Sequence, residues 1–388
     1  MAGLVILSYL PHPSHCGLSR RVDGIEEALE STVDEVVVIC PSFREGFSHK
    51  DPRVDPVKIP LRLEGADAAS RFLRLALYSL LSLRKIVRYA MKGYLVQYES
   101  VFSAFPALAT KLFVRRTVIG DDLVRLHAGS SLLSPLIFVV EAVLARLTDY
   151  CLTASLRTLP FLKRFSRNVI YIPNGVKCPV RRDESMRDET TILFVGALTF
   201  DQNRVAVNKI FQISSLLSSI RPEASIVVVG GPETITASLR NHPLAKVGRT
   251  RFLGEVSDSI LERIYAEAFI GLLPFFSETP TLGGARIKAL EYFAHGLLVV
   301  SGVEGVFGIG GLNAGEHFLA AATVEEMCHI LDECLASPEK YYAVAEAGRE
   351  RVLALYSWKT VTREYVKQVK RLFEKRGAYV LRGRHQEC

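Results

Sequence analysis

Residues 273–301 read LPFFSETPTLGGARIKALEYFAHGLLVVS, and this stretch decides the fold. Apolar Phe269 to Pro274 is a short buried strand, and Ser277 to Gly284 is a polar loop rich in Pro, Thr and Gly. Ile287, Leu290 and Ala294 then recur at helical spacing. Gly296 stops that helix before the strand LLVVS. Arg286 and Lys288 stand in the predicted first turn, where the macrodipole is already positive. A cation there costs roughly 0.3–1 kcal/mol unless an anion sits with it. The Gly283–Gly284 loop feeding this helix start offers free N–H groups and close approach, which together with two cations suit a phosphate. Glu291, three residues after Lys288, can accept hydrogen bonds from a sugar diol. The plainer reading is a Lys288–Glu291 surface pair beside a flexible loop, and the segment alone leaves both open.

Strand and helix patterns alternate on both sides of this stretch. Leu4 to Tyr9 and Glu35 to Cys40 are apolar strands around a helix at Leu18 to Leu29. Leu95 to Tyr98, Thr117 to Gly120, Tyr150 to Thr153 and Val169 to Ile172 continue the series. Leu132 to Leu147 is an apolar helix that packs rather than spans, since Glu141 and Arg146 interrupt it. After the charged, Pro-containing run Lys177 to Thr190, the alternation restarts with strands at Ile192 to Gly196 and Ser225 to Gly230. Thr323 caps a helix that opens Val-Glu-Glu, and two long amphipathic helices close the chain. Continuous apolar strands between helices mean parallel sheets covered on both faces. The predicted class is therefore α/β, with two parallel doubly wound halves facing a central cleft between their C-terminal strand edges. Their expected bounds are 1–176 and 191–357, joined by a linker at 177–190. Residues 358–388 are a C-terminal helix and tail that can pack back on the first domain.

The chain has 388 residues, 49% of them hydrophobic, and a net charge of +7. Mean hydropathy is +0.20, yet no run of apolar residues is long enough for a spanning helix. The start, MAGLVILSYL, lacks a basic leader region and suits a first strand better than a signal peptide. Seven scattered cysteines form no CxxC pairs or metal-ligand spacing, so a reducing, cytoplasmic setting is expected, with no metal. Positive charge points to anionic partners; without zinc-finger or RNP-like motifs, nucleic acid is not among them.

The ordered motifs carry a resemblance. The Gly17 loop comes first, then IPNGV at 172–176, LFVGALTFDQN at 193–203 and VVVGGPE at 227–233. FLGEV at 252–256, YAEAFIGLLPF at 265–275, GGARIKALEYFAHGLLVVS at 283–301, VEG at 303–305 and YSW at 356–358 complete the set. The chain resembles the GT-B nucleotide-sugar glycosyltransferases of group 1, a family 4-like pattern that covers most of its length. The resemblance implies a GT-B architecture of two Rossmann-like domains, an N-terminal acceptor domain and a C-terminal nucleotide-sugar domain. It implies transfer of a sugar from a UDP- or GDP-sugar donor to a hydroxyl of a glycan or lipid-linked glycan, with retention at the anomeric carbon and no permanently bound cofactor. By position, Arg286 and Lys288 would meet the diphosphate, with Gly283, Gly284 and Gly196 close by. Glu291 would meet the ribose, Gly254 and Val256 the base, and Glu304 and Gly305 the transferred sugar. The Gly17 loop would face the diphosphate from the first domain. His127 is a candidate general base, the alternative being an ordinary polar loop residue.

This chain departs from the family pattern in two ways. Ala197 and Gln202 stand where the family carries phosphate-binding Arg and Lys, and Gly283 replaces the first Glu of the Glu-x7-Glu signature. The implied repair is relocation of the cations to Arg286 and Lys288. An altered binding subunit and a nucleotide-sugar epimerase are the alternatives, separable by turnover and by epimerisation without acceptor. Finally, nine Lys or Arg between residues 68 and 120 face one acid, Glu99. Ala69 to Lys92 reads as a helix basic on one side and Leu-rich on the other. That gives either peripheral contact with the cytoplasmic membrane face through 69–116, or a core helix with a solvated basic face.

Overall fold

The structure, a computed structural model, describes residues 3–9, 17–29, 32–42, 53–58, 68–114, 116–121, 134–179, 184–278 and 284–384. They divide into two units. Unit 1 comprises Met1–Pro173, Leu282–Gly284 and Val361–Cys388; unit 2 comprises Asn174–Thr281 and Ala285–Thr360.

Unit 1 is built on seven parallel strands: β1 (Gly3–Leu7), β2 (Glu35–Ser42), β3 (Val54–Lys58), β4 (Leu95–Glu99), β5 (Val118–Asp121), β6 (Tyr150–Thr153) and β7 (Val169–Tyr171). Their order is β3-β2-β1-β4-β5-β6-β7. The two-residue period sorts each strand's side chains to opposite faces. Val5, Leu7, Val37, Ile39, Val96 and Tyr98 meet one helix layer. That layer holds α2 (Ala68–Met91), α3 (Val101–Phe113), α4 (Ser134–Leu147) and α5 (Leu159–Phe165), and α1 (Gly17–Leu29) lies on the opposite face. The switch in strand order falls between β1 and β4, and α1 follows β1 there, beginning at Gly17.

Unit 2 repeats the plan with six parallel strands. In chain order they are β8 (Asp188–Val195), β9 (Ser225–Val229), β10 (Arg249–Gly254), β11 (Ala268–Leu273), β12 (Leu298–Gly302) and β13 (Leu319–Ala321). Sheet order is β10-β9-β8-β11-β12-β13, so the switch lies between β8 and β11. The helices are α6 (Asp201–Ile220), α7 (Glu233–Arg240), α8 (Asp258–Glu267), α9 (Ile287–Ala294), α10 (Val324–Ala336), α11 (Tyr342–Tyr356) and α12 (Trp358–Val361). Thr323 does cap α10, its hydroxyl accepting from Glu326 N. The IPNGV and YSW segments meet: Val176 bridges to Ser357, and a Cβ on Gly175 would fall 2.6 Å from the Trp358 ring. The last helix, α13 (Arg363–Arg384), places Tyr365 and Val369 with Leu4, Ile6 and Leu95 in unit 1's second core cluster. The Tyr365 hydroxyl donates to Gln97 Oε1 at 2.5 Å.

Several readings of the sequence change. Residues 188–190, read as linker, open β8, where Asp188 pairs with Ala268 and its carboxylate accepts from the Thr190 and Thr191 hydroxyls. β3, β13 and α3 carry no clear pattern. β3 is a five-residue edge strand containing Pro56, tolerated there because an edge leaves one row of N–H groups unused. α3 holds Pro106 inside it. Leu132 to Leu147 was expected to pack, but α4 turns much of its apolar side to solvent.

Candidate functional site

The site grows from the end of β8 and the start of α9, both beside unit 2's switch point. α9 is held by its far side. Ala289 to Ala294 are all buried, Val195 N donates to the Tyr292 hydroxyl at 2.6 Å, and the Tyr292 ring lies against Gly271, where a Cβ would intrude to 2.5 Å. That anchoring fixes where Arg286, at the N-cap, and Lys288 project.

Lys288 Nζ donates to Asn203 Oδ1 at 2.8 Å and lies 4.3 Å from the centre of the Phe194 ring. Arg286 stacks its guanidinium 3.7 Å from the Phe275 centroid, and the same ring has Lys288 Nζ at 5.2 Å. Arg286 Nη1 donates to Gln202 Oε1 at 3.1 Å and Nε to the Glu304 carbonyl at 3.3 Å. The two cations thus converge on one aromatic ring, steadied by neutral amides and a carbonyl. Burial, with the Arg286 guanidinium adding to it, holds the Lys288 ammonium well below the usual lysine value. The charged form of Lys288 is thus disfavoured in the empty site, and a nearby negative charge would favour it again.

The neighbouring glycines make room. A Cβ on Gly196 would stand 2.6 Å from Lys288 Nζ and 3.0 Å from Asn203 Cγ. Gly230 lies against the Gly196 carbonyl with φ +113° and donates to Gly254 O at 2.7 Å. Gly254 has φ +76°, and the half-buried Val256 follows it. Gly305 fits against Ser301 Oγ and Leu273, and Glu304 beside it is buried, its N–H donating to Phe275 O at 3.0 Å. Glu291 is buried and accepts from the Tyr265 hydroxyl at 3.0 Å. Tyr265 stacks on His295 at 4.2 Å. The surface-pair alternative thus gives way: Lys288 turns to Asn203, and Glu291 to Tyr265.

The structure brings Gly196, Arg286, Lys288 and Glu304 together, with Gly254, Val256 and Glu291 on adjoining elements. Gly284 precedes Ala285, whose carbonyl accepts from Asn174 Nδ2 at 2.8 Å. Gly283 and His127 lie outside the described residues, and Gly17 opens α1 in unit 1. At unit 1's own switch edge, Asp121 is bound by Arg21 through bonds of 2.7 and 3.1 Å, and Ser100 after β4 holds φ 73°. The sequence reading missed Asn203, Tyr265 and Arg21. Asn203 could have been found, because it follows Gln202 at the start of the helix after the Gly196 turn. Among the described residues no group of three His, Cys, Asp or Glu could hold a metal ion.

The family model of the glycosyl transferases group 1 matches residues 189–337. Over these residues, well under half of the chain, it is similar to that family. The match spans β8 to α10 and so contains every residue of the cation site. No curated protein matches the chain by sequence. Among solved structures, the chain is similar to sucrose-phosphate synthase from Thermosynechococcus elongatus, at 18% identity and TM-score 0.75, over 97% of this chain and 100% of that one. HepE of Anabaena, solved in complex with UDP, is similar at 13% identity and TM-score 0.66, over 95% and 99%. Trehalose 6-phosphate synthase from Burkholderia multivorans gives 12% identity and TM-score 0.66, over 97% and 100%. At these identities the structures establish the fold, which is GT-B.

Proposed function

We propose that this chain is a glycosyltransferase that moves a sugar from a nucleoside-diphosphate sugar to an acceptor hydroxyl on a glycan or lipid-linked glycan, with retention at the anomeric carbon. The observation that carries the donor half is the pair Arg286 and Lys288, converging on Phe275 beside Gly196. A diphosphate leaving group gathers negative charge in the transition state, and cations fixed beforehand stabilise it without reorganising. Gln202, at a position where the family carries a cation, orients Arg286 instead. That supports relocation of the phosphate contacts to α9. UDP is the first base to test, since HepE has been solved with UDP and with UDP-glucose. Glu291, Gly254 with Val256, and Glu304 with Gly305 are assigned the ribose, the base and the sugar. His127 remains the proposed general base.

The acceptor half rests on charge. Lys85 is engaged by Asp55, and Lys111 by Asp149. Arg84, Arg88 and Lys92 remain as an exposed stripe at four-residue spacing on α2, which suits an acceptor displayed on the cytoplasmic face of an anionic membrane. Among the described residues no helix is long and apolar enough to cross a membrane, so such contact is peripheral. The deciding experiment is titration calorimetry with UDP, GDP and their glucose conjugates, followed by an assay for free nucleotide released in the presence of acceptor extracts. Binding of one nucleoside diphosphate with turnover is expected. Binding without any turnover would mark an altered binding subunit, and no binding would remove the donor assignment.

A further inference from the structure

One surface of unit 1 lies outside the donor chemistry. Helix α4 packs on the core through Leu144 and Ala145 yet carries a second, exposed apolar stripe. Its fully buried positions include Glu141 and Ala145, while Leu136 (62% exposed), Val139, Val140, Val143 and Leu147 face water. Those five sit at steps of three, one, three and four residues, a single helical stripe of the kind that ordinarily meets a core. α3 extends the surface with exposed Phe105, Phe113 and Leu112, the last 85% exposed. Lys111 Nζ donates to the Leu147 carbonyl at 2.6 Å and to Asp149 Oδ1 at 2.8 Å, which ties the ends of α3 and α4 together. Phe113 in turn lines a shallow groove of about 690 Å³ with Leu80, Arg84, Arg88, Met91 and Lys92 of α2. Three helix ends therefore share one exposed apolar area.

Its flanks are positive. Arg84, Arg88 and Lys92 border it on α2, and Arg146 stands exposed within α4. Lys163, Arg164 and Arg167 are exposed in and just after α5, whose Phe161 and Phe165 hold Phe138 edge-on at 5.1 and 5.7 Å. Nearby acids are withdrawn: Glu141 is buried and Asp149 is bound to Lys111. A second copy of the chain would bring the same cations and be repelled. An anionic bilayer meets both requirements, taking the apolar stripe into its headgroup–acyl boundary and the cations onto its phosphates. At 14 residues, α4 is about 21 Å long, too short to span a hydrocarbon core of about 30 Å but suited to lying along its edge.

We propose that the outer faces of α3 and α4, with the C-terminal end of α2, form a docking surface for an anionic lipid bilayer, α4 lying in the interface plane. This rests on the peripheral-membrane reading above and adds apolar insertion to it; it does not depend on the donor site.

The test uses the full chain and vesicles of phosphatidylcholine with or without phosphatidylglycerol. The protein is expected to float with the anionic vesicles and to keep a bound fraction in high salt, because insertion is not screened. Replacing Val140, Val143 and Leu147 together by Gln should lower partitioning roughly tenfold or more and remove the salt-resistant fraction. The melting point and UDP affinity of that variant should match the parent. In a separate variant, Val143→Trp, emission should shift to the blue on vesicles and be quenched by brominated lipid; Trp358, 5% exposed, gives a buried background. If the parent binds but the triple variant binds equally and all binding is lost in salt, the peripheral reading survives and this inference falls. If the parent ignores anionic vesicles at low salt, both fall. If sedimentation shows a dimer that the triple variant breaks, without vesicle binding, the surface joins two copies and the inference is overturned. Loss of UDP binding in the parent would strike the donor assignment alone.

Discussion

Helices α9 and α4 solve opposite problems. α9 buries six consecutive residues, a carboxylate among them, and Tyr265 donates to that carboxylate, Glu291. Its half-buried beginning is where the charge is. α4 buries Glu141 and Ala145 and leaves Leu136, Val139, Val140, Val143 and Leu147 in water. Half-exposing five such side chains forgoes roughly 1 kcal/mol each. A helix that carries this cost in isolation points to a partner that removes it. In α9 the unusual feature is polar and gathered around one ring, Phe275; in α4 it is apolar and spread over a surface. The contrast separates the proposed site for a small anion from the proposed site for an extended phase.

That contrast can be broken or sharpened by substitution. The largest expected effect lies in unit 1's core: Tyr365→Ala should cost about 3–5 kcal/mol of stability by denaturant unfolding, since the ring is 1% exposed. If the α9 site is local to unit 2, UDP affinity at low temperature should persist in that variant. Lys288→Ala should weaken UDP by roughly 1.5–3 kcal/mol in calorimetry, the scale of a charge-assisted hydrogen bond, with little change in melting. Unchanged affinity would leave α9 as no more than a packed helix.

Proton linkage gives a third check on the same group. Lys288 is held below its usual value in the empty site, and a bound diphosphate favours the charged form and raises it again. Between those two values binding takes up a proton, so UDP affinity should fall as pH rises through that window. Below both, the ammonium is charged in either state and this contribution is flat. Calorimetry in two buffers of different ionisation enthalpy reads the uptake, and proton release would contradict it. Gln202→Ala should cost less, about 0.5–1.5 kcal/mol of UDP affinity, because it removes one neutral support of Arg286. The smallest effect belongs to α4: Val143→Gln in lipid-free protein should shift stability by no more than about 0.5 kcal/mol. A larger loss would mean that the stripe is covered in solution.

What the sequence revealed follows from the same physics. Strands such as GLVIL and SIVVV, buried along their whole length, stand out because a parallel sheet is covered on both faces. Arg286 and Lys288 stand out because cations at a helix start run against the dipole. Gln202 and Asn203 carry no such charge signal; the family pattern marks the position of Gln202, but which cation each amide holds shows only once α6 and α9 are folded side by side. The direction of α4 was hidden for another reason. Periodicity gives a stripe but not which way it points, and Leu136 to Leu147 reads the same facing a core or a bilayer. Short edge strands such as β3 offer too few residues for any period to show.

The chain's one tryptophan stands over Gly175, at the junction sealed by the Val176–Ser357 bridge. An indole so placed is an optical label that nature has already installed. Its emission reports whether the IPNGV strap is closed on the YSW segment and is blind to the core around Tyr365. Fluorescence and circular dichroism followed in one denaturation would therefore watch different parts of the molecule. Coincident curves would mean that the two units melt as one cooperative body, and a gap between them would measure how independently each half stands.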